Sequence, residues 1–85
     1  MQKWFVYICK SPANHYYVGI STDPNKRLAM HNQGYGSKMA KDQGKFELVY
    51  TSDSFASKSE ARKREIQLKG WSRLKKEKLI SGEYH

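Results

Sequence analysis

Side chains in residues 3–10 and in residues 15–20 point alternately to two faces, with a turn between the two stretches, a pattern that predicts a β-hairpin. The first predicted strand covers residues 3–10 and the second covers residues 15–20. Side chains on both faces of the first strand are apolar, which predicts a central strand covered on both sides. Ser11-Pro12-Ala13-Asn14 supplies the turn, because proline fixes one φ and asparagine tolerates the left-handed region.

A helix is predicted after the hairpin. Thr22 or Asp23 can act as its N-cap, Pro24 suits its first turn, and it ends at about Asn32. Residues 34–41 contain two glycines and favour a loop, followed at most by one helical turn. Residues 46–50 are rich in β-forming side chains and predict a third strand.

Two more helices are predicted in the second half of the chain. Ser57 and Glu60 have capping-box spacing, and the helix they start ends at about residue 69, with Gly70 as its C′ residue. Ser72 caps a last helix that ends at about residue 80. The order β-β-α-β-α-α predicts an α+β fold, a mixed α/β class, with a three-stranded antiparallel sheet flanked by helices.

Eighty-five residues, 38% of them hydrophobic, suit a single domain over residues 1–85 with one modest core. No run of apolar residues approaches the roughly 20 that a membrane span needs, so we expect no membrane partner. The single cysteine, Cys9, has no disulfide partner within the chain and is expected to be a small buried core residue. These features favour a reducing cytoplasm.

The chain carries a net charge of +8, and the charge is concentrated near the C-terminus. Residues 57–78 hold nine basic and three acidic residues, which leaves +6 of the +8 in that segment. A polyanion is the expected partner, and nucleic acid is commoner for such a chain than an anionic membrane. The alternative is a solvated basic face without a partner.

Glu65 falls on the apolar stripe of the second predicted helix, in line with Ala61 and Leu68. A carboxylate in that position costs free energy unless it is paired. Either a cation of the same helix pairs with it, or it faces the sheet and points at Tyr7, Tyr17, Arg27 and His31. Arg27 and His31 are four residues apart and share a helix face.

These residues together resemble a known family. Phe5-Val6-Tyr7, Tyr17-Val18-Gly19, Arg27, His31 and the helical Glu65 resemble the GIY-YIG nuclease superfamily. The likeness is strongest to small stand-alone bacterial members of the UPF0213 type, which are similar to the nuclease domain of Slx1-like structure-specific endonucleases. It covers about residues 3–80. Phe5-Val6 stands where the first motif has Gly-Ile, and Met39 stands where relatives often have tyrosine.

The resemblance implies catalytic roles for five residues. Tyr7 and Tyr17 would line the site, and Arg27 would hold the scissile phosphate. His31 would orient or deprotonate the nucleophile, although whether Tyr7 or His31 is the general base stays open. Glu65 would ligate a single divalent cation, Mg²⁺ or Mn²⁺.

The expected function is therefore metal-dependent hydrolysis of DNA phosphodiester bonds by an endonuclease, structure-specific and acting in DNA repair or recombination. The DNA would be branched or damaged duplex, and a protein partner could supply specificity. Five basic residues are expected to contact the nucleic acid: Lys38, Lys41, Lys58, Arg62 and Lys69. The alternative is a non-catalytic nucleic-acid-binding module that keeps the nuclease fold. Trp71 is either a core anchor or a platform for base stacking.

Overall fold

A computed structural model describes residues 2–32 and 45–84 of the chain. Its elements follow the predicted order. Three strands and three helices are formed within the described residues: β1 (Phe5–Lys10), β2 (Tyr16–Ser21), α1 (Pro24–Asn32), β3 (Glu47–Thr51), α2 (Lys58–Lys69) and α3 (Arg73–Ile80). The predicted loop at residues 34–41 lies outside the described residues.

The sheet is antiparallel with strand order β2-β1-β3. β1 is therefore central, as its two apolar faces predicted. Across the hairpin, Tyr7 lies opposite Gly19 and Cys9 lies opposite Tyr17. The β1–β3 register shifts between Ile8 and Cys9, which marks a β-bulge. The α+β class and the three-stranded antiparallel sheet are confirmed.

The local signals for turns and helix starts agree with the structure. Asn14 has a positive φ of 70° in the hairpin turn. Asp23, rather than Thr22, caps α1, because its carboxylate accepts a hydrogen bond from the Lys26 amide at 3.1 Å. The Ser57 side chain caps α2 and the Ser72 side chain caps α3.

The end of α2 differs from the prediction. Gly70 is the C-cap of the helix, with a right-handed φ of −83°, and not a left-handed C′ residue. The amides of Gly70 and Trp71 donate to the carbonyls of Gln67 and Leu68, each at 3.1 Å, so the helix ends by tightening its last turn. The left-handed glycine is instead Gly82, after α3, with a φ of 91°.

The two faces of the sheet carry different packing. On one face Val6 and Ile8 pack with Ala61, Leu68 and Leu79 from α2 and α3, and this is the main core. On the opposite face a smaller cluster joins Cys9 and Phe46 with the partly buried Tyr7 and Leu28, the latter from α1. Within the described residues no helix has the length and hydropathy needed to cross a membrane.

Candidate active site

Tyr7 lies at the centre of the candidate site, on the face of the sheet that α1 covers. Its ring extends across the backbone of Gly19 on the neighbouring strand. A Cβ atom at Gly19 would lie 2.6 Å from the Tyr7 hydroxyl oxygen and 2.7 Å from Cζ. The glycine of the Tyr17-Val18-Gly19 motif therefore leaves the space that the Tyr7 phenol occupies.

Two of the residues that the sequence predicted for the site, Arg27 and Glu65, affect the pKa of Tyr7. Burial raises the pKa of Tyr7, and the charges of ionised Cys9 and Glu65 also raise it. The positive charge of Arg27 and a hydrogen bond with its side chain act in the opposite direction and lower that pKa. Arg27 from α1 and Glu65 from α2 therefore both act on one phenol, and the net effect keeps Tyr7 protonated at neutral pH.

Arg27 reaches Tyr7 because α1 lies against the same face of the sheet. Leu28, the next residue, packs into the cluster with Cys9 and Phe46 and fixes the rotation of the helix. Arg27 itself is exposed, so its guanidinium remains available to an anion from solvent. His31 lies in α1 one turn further on, but its side chain is outside what the structure describes.

Glu65 is buried, with 7% of its surface exposed, on the stripe of α2 that also buries Ala61 and Leu68. The predicted ion pairs with cations of the same helix are present, whereas the second explanation, a site shared with Tyr7, Tyr17, Arg27 and His31, stays a prediction. Its oxygens lie 3.7 Å from an Arg62 nitrogen and 3.4 Å from the Lys69 Nζ. Its charge also acts on Tyr7. Glu65 is thus held by two cations of its own helix while it contributes to the Tyr7 site.

Tyr17 lies on the same face as Tyr7 but is displaced along the strand. It pairs with Cys9, which makes Tyr7 its diagonal neighbour, at about 7–8 Å in an antiparallel sheet. Its ring packs against Phe46 with 5.3 Å between centroids, and 40% of the residue is exposed. Tyr17 therefore lies at the solvent-exposed side of the site, where its ring contacts Phe46.

Asn32 is a positioning residue that the sequence reasoning missed. Its side-chain carbonyl accepts a hydrogen bond from the Phe46 amide at 2.7 Å, and its amide group donates to the Phe46 carbonyl at 2.9 Å. This pair of bonds ties the end of α1 to the residue that packs on Tyr17. The available signal was an asparagine at a predicted helix end, which is equally typical of an ordinary cap.

The predicted nucleic-acid contacts divide into three groups. Lys58 lies over the ring of Trp4, 5.4 Å from its centroid. Arg62 and Lys69 flank Glu65 through the ion pairs described above. Lys38 and Lys41 lie outside the described residues.

Cys9 is buried, as expected, and burial raises the pKa of its thiol.

The donor set suits one loosely held divalent cation. Among the described residues no group of three or more His, Cys, Asp or Glu side chains comes together, so a cage made of protein ligands is absent there. Glu65 supplies one buried carboxylate, whose charge also raises the pKa of Tyr7. Mg²⁺ is commonly bound through one or two carboxylates together with waters and substrate phosphates, so Glu65 fits this mode of binding.

The chain forms a small α+β domain in which Arg27 and the buried Glu65 both act on the pKa of Tyr7. A family model described as the GIY-YIG catalytic domain matches residues 3–78. The chain is 44% identical to a UPF0213 protein of Staphylococcus saprophyticus, an alignment that covers 95% of this chain and 98% of the relative. It is 37% identical to a UPF0213 protein of Cronobacter sakazakii, over 98% of this chain and 86% of the relative.

A solved structure agrees with these sequence matches. The solution NMR structure of a UPF0213 protein from Bacillus halodurans has a TM-score of 0.58 and 39% identity, and the match covers 93% of this chain and 83% of that one. The chain therefore belongs to the GIY-YIG family, in its UPF0213 group. Membership supports an endonuclease-like function in general terms.

Proposed function

We propose that the protein is a metal-dependent endonuclease that hydrolyses phosphodiester bonds in DNA. The observation that carries this proposal is that Arg27 and the buried Glu65, from two different helices, both lie near enough to Tyr7 for their charges to shift its pKa. A cation, a protonated phenol and a buried carboxylate are the groups needed to hold a phosphate and stabilise its added charge. The family match supports the same class of reaction.

In this proposal the phosphate binds next to Arg27 and Tyr7. The guanidinium donates to two phosphate oxygens and offsets the charge that grows as water attacks. The raised pKa of Tyr7 supports a role as hydrogen-bond donor and favours His31 as the group that accepts the water proton. The new P–O bond forms from the water oxygen, and the P–O bond to the leaving nucleotide breaks. Tyr17 bounds the open side of the site.

Glu65 would hold the divalent cation, Mg²⁺ or Mn²⁺, which when bound supplies Lewis-acid stabilisation of the phosphate charge. Arg62 and Lys69 lie within 4 Å of the same carboxylate and compete with a cation for its oxygens. Release of one of these ion pairs would then accompany metal binding. Arg62 and Lys69, once released, would be free to contact the DNA backbone, as would Lys58.

The substrate preference is proposed from the resemblance to structure-specific endonucleases. Branched or damaged duplex would be the DNA cleaved, in repair or recombination within the cytoplasm. The phosphate contacts of the basic residues give affinity without sequence readout, so a protein partner would supply specificity.

The experiment measures nicking of supercoiled plasmid and cleavage of flap and branched duplexes, with Mg²⁺, Mn²⁺ or EDTA. Glu65→Gln and Arg27→Ala should each reduce the rate by about 10²-fold or more, as for loss of a transition-state contact. Two matched controls change the same charges at exposed neighbouring positions: Glu60→Gln and Lys26→Ala. Rates that stay at wild-type level in Glu65→Gln contradict the metal role of Glu65.

A second candidate function is a nucleic-acid-binding module without catalysis. The two ion pairs of Glu65 favour it, because they give the buried carboxylate a structural use that needs no metal. This candidate predicts salt-sensitive DNA binding by wild type with no cleavage in any metal. It also predicts that Glu65→Gln lowers stability, since the two cations lose their partner.

A further inference from the structure

A cluster of rings and cations lies on the face of the sheet opposite Tyr7, where α2 and α3 pack. Arg64 and Lys75 lie over the Trp71 ring, 5.1 and 5.0 Å from its centroid. Tyr84 meets the edge of Trp71 at 6.0 Å, and Lys78 lies over Tyr84 at 5.7 Å. We call these five residues the cation–aromatic surface. Trp71 itself packs against the main core, so its position is fixed.

The rings hold these cations in a way that preserves their charge. An aromatic ring attracts a cation through its quadrupole and carries no opposite charge. Neither Lys75 nor Lys78 forms an ion pair with a carboxylate among the described residues. Arg62 and Lys69, by contrast, are partly neutralised by Glu65. Lys75 and Lys78 therefore present positive charge that no carboxylate of the described residues offsets through an ion pair.

A groove opens beside this surface, between the end of β3 and the end of α3. Its volume is about 320 Å³, and Tyr84 lines it together with Tyr50, Asp53 and Ile80. That is near the lower end of the range for small-ligand sites, roughly 300–1,000 Å³, and it is too small for a duplex. The carboxylate of Asp53 repels phosphate but can accept hydrogen bonds from a base.

We propose that the cation–aromatic surface binds the backbone of single-stranded nucleic acid, with one unpaired base entering the groove beside Tyr84. The lysines favour the phosphates, whereas the tyrosines and Asp53 of the groove favour a base. Positive side chains next to aromatic rings are the recurring means of binding single strands without sequence preference. This surface lies across the sheet from Tyr7, and the inference does not require hydrolysis.

The test uses the full wild-type chain in EDTA, so that metal-dependent cleavage cannot occur. Fluorescence anisotropy measures binding of a labelled oligothymidine of about 16 nucleotides and of a duplex of the same length. The lysines of the surface should contribute more to single-strand binding than to duplex binding. Lys75→Ala with Lys78→Ala should weaken single-strand binding by about 10-fold and reduce the slope of log K against log salt by about 1.4, the value for two phosphate contacts.

The matched control removes the same charge from two exposed lysines outside the surface, Lys3→Ala with Lys63→Ala. Equal losses of affinity and slope in the two double variants would overturn the inference, because they would show a general charge effect. An equal loss of single-strand and duplex affinity in the Lys75 and Lys78 double variant would overturn it as well, because the surface would then show no preference for a single strand. A protein that binds single strands but never cleaves DNA would contradict the proposed function and support this inference.

A second measurement reports directly on Trp71. In a Trp4→Phe variant Trp71 is the single tryptophan, since the chain has two. Single-stranded oligonucleotide should quench its emission, and the lysine double variant should lose that response at the same concentration. Emission that changes with phosphatidylserine vesicles and not with oligonucleotide would assign the surface to a membrane and overturn the proposal.

Discussion

Substitution of Gly19 by alanine tests the geometry of the Tyr7 site with one methyl group. Gly19 has no positive φ, so alanine is allowed by the backbone at this position. The added Cβ would lie 2.6 Å from the Tyr7 hydroxyl oxygen, where ordinary contact begins near 3.4 Å. The hydroxyl must then move by about 0.8 Å, which disturbs its hydrogen bond with the Arg27 side chain.

A displacement of this size should cost activity far more than stability. A misplacement of about 1 Å in a catalytic site can cost about 10²-fold in rate, and we expect nicking of supercoiled plasmid to fall by that factor. Overpacking costs about 1–3 kcal/mol, and replacing a strand glycine by alanine returns about 0.5–1 kcal/mol through the unfolded state. The net loss of unfolding free energy should therefore be between about 0 and 2.5 kcal/mol, measured by urea denaturation.

Gly70→Ala is the matched control, because its Cβ would meet its nearest atom, the Gln67 carbonyl oxygen, at an ordinary 3.5 Å. A second readout is independent of activity: titration of ¹³C-labelled tyrosine should show the pKa of Tyr7 falling toward its ordinary value in Gly19→Ala as the ring leaves its buried position. Wild-type nicking and an unchanged Tyr7 titration in Gly19→Ala would contradict this prediction. So would an activity loss that merely follows the fraction unfolded.

Three further predictions concern stability. Leu68→Ala, in the fully buried core of α2, should cost about 2–5 kcal/mol in urea denaturation, whereas Ile66→Ala on the same helix, at a position 60% exposed, should cost well under half as much. Asn32→Ala removes both hydrogen bonds to Phe46 and should cost about 1–3 kcal/mol by the same measurement, and an unchanged midpoint would show that water replaces the amide. The folded state holds the Tyr7 proton more tightly than the unfolded chain, so this contribution to stability is complete below the unfolded pKa of 10.0 and is lost as pH rises through the folded pKa. The melting temperature of Tyr7→Phe should therefore fall less than that of wild type between pH 8 and pH 12. Identical melting profiles for the two proteins would contradict this prediction.

The features that could be predicted from the sequence are those that depend on near neighbours in the chain. Apolar side chains on both faces of β1 predicted that it is the central strand, and side chains with capping oxygens predicted where the helices start. Helical periodicity placed Glu65 on the buried stripe of α2 with Ala61 and Leu68. Each of these signals lies within a few residues, where geometry is fixed by local dihedral angles.

The features that could not be predicted join residues far apart or choose between equivalent local solutions. The side chain of Asn32 pairs with the backbone of Phe46, and no periodicity encodes such a contact. Gly70 and Gly82 both follow helices, yet only Gly82 is left-handed. After α3, the amides of Gly82 and Glu83 bond to the carbonyls of Leu79 and Lys78, which is the Schellman arrangement. After α2, the chain turns at once into α3, and the helix ends with a tightened last turn in place of a left-handed glycine.

The position of β2 at the edge of the sheet explains how residues from opposite faces reach one phenol. α1 lies on the Tyr7 face and α2 lies on the Val6 face, so a side chain in the middle of the sheet would be screened from one of them. Tyr7 starts on the central strand, but its ring extends over Gly19 and brings the hydroxyl to the β2 edge. The charge of Arg27 from α1 and the charge of Glu65 from α2 both act on the ionisation of that hydroxyl. Tyr17, on the same strand as Gly19, is 40% exposed, so a long phosphate backbone could reach this strand from solvent.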